Sequence, residues 1–453
     1  MTAHRIDWEG LAGALAGIEC SRDPGRLAAA SRDYYFYSPI LAEVLDGRVG
    51  ELLVRPRDEA EVVRVAAACA RFRVPLTIRG GGTGNYGQCV PLEGGVILDI
   101  TGLDRVLAVG AGSVLCEAGI LIAALERAVR AHGQALLMYP STRDIATIGG
   151  FIAGGYAGVG SIRHGILKDP GNVRLIRVVT VEEVPRVIEL RGADIQKVHH
   201  AFGTNGIITR LELALAPAVD WLHQILLFPD YRRALEFGVA ASRPDLDSFL
   251  LTTVERRFAR FYGVLGERFP ADRDAVFAMV NPAHLDAWRA LAARFGGVET
   301  LCLDDAGIRA AQLPPAFECA YNHTTLMALR HERSFTYLQI AYPMPFDPAL
   351  VLRQMERYGD ELHFHHEFAR QFGEYAVFAL PLVAYFDRER VYEIIAEFEA
   401  DGCLVFDPHV YTIEDGGMKT IDTAQIEFKR VADPHGLMNP GKTRGWNAAM
   451  ARA

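Results

Sequence analysis

Cysteine is scarce and badly spaced: seven residues in 453, at positions 20, 69, 89, 116, 302, 319 and 403, with no C-x-x-C pair. An odd, scattered set specifies neither a disulfide framework nor a zinc or iron–sulfur site, so free thiols follow. Basic clusters are missing too. With 47 Lys and Arg against 56 Asp and Glu the formal charge is −9, which excludes a general polyanion-binding surface. No stretch approaches the ~20 apolar residues needed to span a bilayer. The opening segment MTAHRIDWEGLAGALAGIEC lacks a basic start followed by an apolar core. A cytoplasmic protein without an integral membrane segment, and without affinity for nucleic acid, is the expectation. Internal repeats and low-complexity tracts are also absent.

Half of the side chains are apolar, enough for a large core divided over two or three domains. Residues 1–48 read as a helical lead-in ending in the aromatic run Tyr34–Tyr35–Phe36–Tyr37. From Leu52 the texture becomes strand (LLVRP), helix (DEAEVVRVAAACARFRV, acidic in its first turn) and strand (PLTIRG). Short β-rich pieces follow, GGVILDI, RVLAVG and SVLCEAG, and then a helix, ILIAALERAVRAHG, with Gly133 as its expected C-cap. In HHAFGTNGIITRLELALAP the residues 207–215 alternate as a strand with two distinct faces. Beyond about 218 glycine thins out while aromatics and histidines rise. RVYEIIAEFEADG reads as a helix, and SFTYLQIAYP and YAVFALPLVAYF read as strands. The overall expectation is an α+β protein divided at 49–217, 218–430 and a tail, 431–453.

Two glycine-rich stretches stand out. TIRGGGTGNYGQCVPLEGG contains a GxGxxG at Gly82, Gly84 and Gly87. A dinucleotide fingerprint of the doubly wound kind needs a helix straight after its glycines and an acidic residue about 20 positions on. Here QCVPLEGG and a strand follow instead, so that reading fails. Glycines without a helix still bind phosphate when successive N–H groups curl into a nest, and RGGGTGN offers one, with polar side chains at Arg79, Thr83 and Asn85. An ordinary tight connection between strands is the alternative. The second stretch, TIGGFIAGGYAGVGSIRHG, carries Gly149, Gly150, Gly154, Gly155 and Gly158 and is too glycine-rich for a free-standing helix. Two such stretches in one domain suggest a long ligand approached by backbone at two places.

The combination of VRPRDEAEVVRVAAACARFRVPLTIRGGGTGNYGQ, YPSTRDIATIGGFIAGGYAGVGSIRHG, FGTNGIITRLEL and the terminal NPGK resembles the FAD-binding domain of the vanillyl-alcohol oxidase/PCMH superfamily. Within it, the similarity is to the branch of the glycolate oxidase subunit and D-lactate dehydrogenases. The resemblance implies a PCMH-type FAD-binding domain with a second α+β substrate, or cap, domain. It implies that Arg79, Gly80, Gly81, Gly82, Thr83, Gly84, Asn85 and Gln88 surround the FAD pyrophosphate. Pro140, Ser141, Thr142, Thr147, Ile148, Gly149, Gly150, Gly154 and Gly155 would line the pyrophosphate and the ring edge. Ile207 and Ile208 would contact the cofactor through main chain, and Asn439 and Lys442 would return to it from the tail. Many relatives tether FAD through a histidine of the first glycine loop. Residues 79–88 contain none, so noncovalent FAD is expected, with a bond from Cys89 or from a second-domain histidine left open.

Oxidation of a C–H bond beside a flavin calls for a proton acceptor and a substrate anchor. His409 is the first choice as base and His323 the second, with Tyr411 beside the former and Arg330 as a carboxylate clamp. ELHFHHEF suggests a metal at first sight, because His363 and His365 share a face in a strand. The GHxGDGN-like and EHGxG-like motifs of D-2-hydroxy-acid dehydrogenases are missing, so a polar strand edge is expected there and no metal is assigned. The implied activity is FAD-dependent oxidation of a small or medium alcohol or hydroxy acid by hydride transfer to flavin. The alternatives are a phenolic-compound oxidase, or a flavin-binding subunit of an electron-transfer complex without turnover of its own. The electron acceptor stays open between dioxygen, a quinone, a cytochrome and a flavoprotein, and so does a homodimer.

Overall fold

The computed structural model describes residues 6–418 and 420–450. The fold is α+β, as expected. The helix Glu59–Phe72 begins where Asp58 accepts the Glu61 amide and ends at left-handed Arg73. It covers a four-stranded sheet in the order Glu19–Ser21, Leu52–Arg55, Val96–Asp99, Leu76–Arg79. Its last three strands are parallel, and Glu19–Ser21 joins antiparallel at one edge. The segment before residue 48 is therefore more than a lead-in, since it supplies a strand to this sheet.

An antiparallel sheet follows, in the order Val106–Gly110, Ser113–Glu117, Ile207–Pro217, Val173–Val179, Val187–Leu190. Gln134–Leu136 pairs with the far end of Ile207–Pro217. The helix before it, Ile122–Arg130, is capped at Ala131 and not at Gly133. Gly133 instead takes a positive φ two residues later, in the turn into the next strand.

The second half is built on an eight-stranded sheet in the order Val298–Leu303, Leu222–Phe228, Asp274–Val280, Ser248–Val254, His365–Gln371, Glu374–Ala379, Ile340–Ala341, Leu404–Val405. The helices Tyr231–Ala241, Leu285–Arg294, Pro348–Tyr358 and Arg388–Ala400 share one core with it through Phe237, Trp288, Val351 and Phe398. A second core, with Phe258, Tyr262 and Leu329, includes the helix Asn322–His331. The helix Thr423–Ala432 crosses the boundary expected at 430 and belongs with the first half. Its buried Lys429 amine donates to the Thr204 carbonyl at 2.9 Å and to Asp433 at 2.7 Å.

Candidate FAD and substrate site

The two glycine stretches meet. A β-carbon on Gly81 would stand 2.0 Å from the Ile145 carbonyl oxygen, and one on Gly80 would stand 2.1 Å from Thr147 Oγ1. Only glycine allows that approach. The second stretch does form a helix, Ile148–Gly154, only seven residues long. It is held from outside, because a β-carbon on its Gly149 would press on Ala118 at 2.7 Å. Gln88 lies between the two stretches: its side-chain oxygen would be 1.9 Å from a β-carbon on Gly84, and its amide nitrogen 3.2 Å from one on Gly154.

Together they wall one side of a cavity that runs from Ile100 and Thr142 to Tyr321, Gln339, Phe378 and Phe406 of the second half. Gly80 through Asn85, Gln88, Pro140, Ser141, Thr142, Thr147, Gly149, Gly150, Gly154, Gly155 and Ile208 all line it. Among the described residues, none of the amides of residues 81–85 donates to a protein acceptor. Five successive unpaired N–H groups in a glycine loop, facing a long cavity, form a nest for an anion such as a pyrophosphate. Asn85 adds a buried side-chain nitrogen with no protein partner. The residues present therefore fit FAD.

Residues 50–183 match the family model of the FAD binding domain. This segment, which holds both glycine stretches, is an FAD-binding domain. A D-lactate dehydrogenase of Archaeoglobus fulgidus is 28% identical over 233 residues, 48% of this chain and 51% of that protein. The glycolate oxidase subunit GlcD of Escherichia coli is 32% identical over 133 residues, 29% of this chain and 26% of that protein. The chain thus spans about half the length, or less, of the curated relatives it matches. Among solved structures, an alkyldihydroxyacetonephosphate synthase superposes with a TM-score of 0.73 at 13% identity, covering 98% of this chain and 86% of that one. A BBE-like 1 protein of Physcomitrella patens does so with a TM-score of 0.66 at 13% identity, covering 95% and 98%. These two show the fold, including its second half.

Several expected contacts lie off the cavity wall. Ile148 and Ile207 pack into the main core. Arg79 turns away: its guanidinium donates to the carbonyls of Ala30, at 3.0 Å, and Arg32, and lies 3.3 Å from Cys89 Sγ. Asn439 donates to the carbonyls of Gln88 and Phe202 at 2.7 and 2.6 Å, holding the flavin domain's loops to the tail. Lys442 is fully buried, with its amine on the Gly87 carbonyl at 2.5 Å and over the Tyr411 ring at 5.2 Å. Burial pulls its pKa down to about 8 against the opposing charge of Asp33. These side chains build the cradle from behind and do not line the cavity.

None of the four side chains expected to do the chemistry lines the cavity. His409 is buried, bonded through Nδ1 to Ser38 Oγ at 2.7 Å, and desolvation pushes its pKa down to about 3. His323 is in the first turn of Asn322–His331, where its neighbour Asn322 takes the wall position; desolvation lowers its pKa to about 4. Tyr411 packs with Tyr35, Leu41 and Val90. Arg330 is exposed in the last turn of the same helix, 3.6 Å from Met327 Sδ.

The histidine run is no polar edge. His365–Gln371 is a central strand between Ser248–Val254 and Glu374–Ala379. His363 and His365 do share a face, both packing on the Phe258 ring. Nevertheless no group of three His, Cys, Asp or Glu among the described residues is placed to hold a metal.

Also on the wall are Asp33, Tyr34 and Tyr37 from the first segment, Tyr86, Cys89, Tyr156, His200 and Phe202 from the flavin domain, and Tyr321, Asn322, Gln339, Phe378 and Phe406 from the second half. Tyr86 and Tyr156 lie inside the two glycine motifs themselves, Phe202 opens FGTNGIIT and His200 stands two residues before it. A search of aromatics flanking the glycine motifs finds them.

Proposed function

We propose that this chain is an FAD-dependent oxidoreductase that oxidises a small or medium alcohol or hydroxy acid. One observation carries the reading: the nest at Gly81–Asn85 opens into the same cavity that continues between the two halves to Tyr321, Gln339 and Phe406. One continuous space thus holds a cofactor at its glycine end and a second molecule at its aromatic end. Bound FAD supplies the two-electron acceptor for the hydride. The chain's own residues supply the rest. The amides of 81–85 bind the diphosphate, Gly154 and Gly155 allow close approach, and the Tyr321–Asn322 segment closes the far side. The names of the relatives, D-lactate dehydrogenase and glycolate oxidase subunit, support oxidation at a carbon bearing a hydroxyl.

The cofactor is held without a covalent bond in this reading. The first glycine loop has no histidine, and burial pushes the Cys89 thiol up to about 12, keeping it protonated and unreactive. The test is anaerobic titration of the FAD-loaded protein with D-lactate, glycolate and benzyl alcohol, watching the flavin band near ~450 nm. Bleaching by one of them supports the reading. A flavin that none of them bleaches, in protein that binds FAD stoichiometrically, favours a flavin-binding subunit over a complete enzyme.

A further inference from the structure

The first segment of the chain runs between the two halves and touches both. On the flavin side, the Tyr34 amide donates to the Gly84 carbonyl at 2.7 Å. Arg79 reaches back from the glycine loop to the carbonyls of Ala30, at 3.0 Å, and Arg32, and the Cys89 thiol meets the Arg32 carbonyl at 3.6 Å. Gly87, at φ +71°, is seated so closely on Leu45 that a β-carbon there would stand 2.3 Å from a Leu45 methyl carbon. The loop that carries the unpaired amides of residues 81–85 is therefore backed by residues 30–45.

On its other side the same segment is fastened to the second half. The Thr336 hydroxyl donates to the Tyr37 carbonyl at 2.8 Å, and Ser38 Oγ lies 2.7 Å from His409 Nδ1. The rings of Tyr37 and Tyr337 meet edge to face, with centroids 5.8 Å apart. Thr336, Tyr37, Ser38 and His409 are all buried, so losing either bond leaves a polar group away from water. Thr336 is the middle residue of the strand Phe335–Tyr337, which pairs with Leu382–Ala384 in a three-stranded sheet of the second half. Neither Thr336 nor His409 lines the cavity, whereas Asp33, Tyr34 and Tyr37 do.

The bond from Tyr34 acts on the nest through one peptide unit. In a trans peptide the C=O and the following N–H point in opposite directions. Drawing the Gly84 carbonyl towards Tyr34 therefore turns the Asn85 N–H, the last amide of the nest, the opposite way. Between Tyr34 and the Thr336 anchor stands only the single turn Tyr35–Tyr37, closed by the Tyr37 amide on the Tyr34 carbonyl at 3.1 Å and by the Tyr35 amide on Asp33 Oδ1 at 3.0 Å. A turn this short and this fully bonded passes a displacement at Tyr37 on to Tyr34. The glycine loop also meets the second half directly, where the Tyr86 hydroxyl donates to Gln339 Oε1.

We propose that residues 33–38 form a strap that makes the cofactor nest depend on the second half, with Thr336 as the positioning residue at its far end. The nest takes its binding geometry while the strap is anchored, so FAD binding and the seating of the strap on the second half stabilise each other. The coupling runs both ways, because whatever the anchor adds to FAD affinity, bound FAD adds to the anchor. The proposal rests on the FAD nest and is independent of what the bound flavin oxidises.

Thr336→Val keeps the shape of the buried side chain and removes its hydroxyl, whereas Thr336→Ser keeps the hydroxyl. Fluorescence titration of the full-length apoprotein is expected to show FAD bound about 10-fold more weakly by Thr336→Val, and within about two-fold of the parent by Thr336→Ser. Ser38→Ala, which frees the strap from His409, is a second variant with the same expected loss as Thr336→Val. In the parent, FAD should slow hydrogen exchange at residues 335–337, none of which lines the cavity, and slow it less in Val298–Leu303 at the far edge of the eight-stranded sheet. Thr336→Val should abolish that difference. Parent-like FAD affinity in folded Thr336→Val and Ser38→Ala, or equal weakening in Thr336→Val and Thr336→Ser, overturns the anchoring role. Exchange slowed equally at 335–337 and 298–303 would mean that FAD stabilises the chain as a whole, and overturns the strap.

Discussion

The backbone amide of Tyr321 donates to Oε1 of Glu367 at 2.7 Å, across the junction between a cavity wall and the central strand of the eight-stranded sheet. Tyr321 has φ +51° and ψ −141°, and its hydroxyl donates to the Gly158 carbonyl at 2.8 Å. Glu367 is fully buried and also accepts from Thr252 Oγ1 at 3.1 Å. The carboxylate thus holds a strained residue in the wall. Replacing Glu367 with alanine leaves the Tyr321 amide and the Thr252 hydroxyl unpaired, which costs about 2–4 kcal/mol. Urea unfolding is expected to show that loss, with Glu367→Gln losing less because its amide oxygen still accepts.

Gly81 faces the Ile145 carbonyl so closely that a methyl group there forces the two glycine stretches apart. Gly81→Ala is expected to weaken FAD binding by about 100-fold while the second half keeps its fold. Fluorescence titration of apoprotein with FAD measures it. Unchanged affinity would mean that the nest does not hold the diphosphate.

Asp33 gives a pH signature. Burial, opposed by Lys442 and by the Tyr35 amide, raises its carboxyl to about 6 from an ordinary 3.8. Between these values the folded chain holds the proton that the unfolded chain has released, so this group's contribution to stability is full below the lower value and is lost as pH rises through about 6. Asp33→Asn should flatten the fall in stability between pH 4 and 6, as read from denaturant midpoints across that range. A parallel curve in the variant would show that Asp33 is not the group responsible.

His409 and Ser38 form a buried pair at 2.7 Å that ties the 407–411 loop to the start of the helix Pro39–Leu45. Since His409 does not line the cavity, His409→Ala should lower stability by about 1–3 kcal/mol and leave the flavin reduction rate within a few-fold of the parent. A collapse of the rate with stability intact would return His409 to the chemistry.

The flavin domain was largely legible because its signals are local. The acidic first turn of Glu59–Phe72 and the glycine runs at 80–84 and 149–155 are features of short stretches, although what crowds those glycines is not. The catalytic side was not legible, for the opposite reason. His409, His323 and Arg330 are the residue types that such chemistry uses, but whether a side chain faces a cavity depends on pairings hundreds of residues apart. His365 and His366 looked like a polar edge, whereas the strand order places them mid-sheet, a fact that only register can give. His200 escaped notice because its place on the wall depends on the fold, which sets its ring against a carbonyl 45 residues away.

The most direct test of the whole account is to load the protein with FAD, record its visible spectrum, and precipitate it with acid. One yellow equivalent per chain, released into the supernatant, is the predicted result. Colour retained in the precipitate would keep the cofactor but contradict the noncovalent site and turn attention to Cys89. Protein that stays colourless after reconstitution with FAD would contradict the central claim.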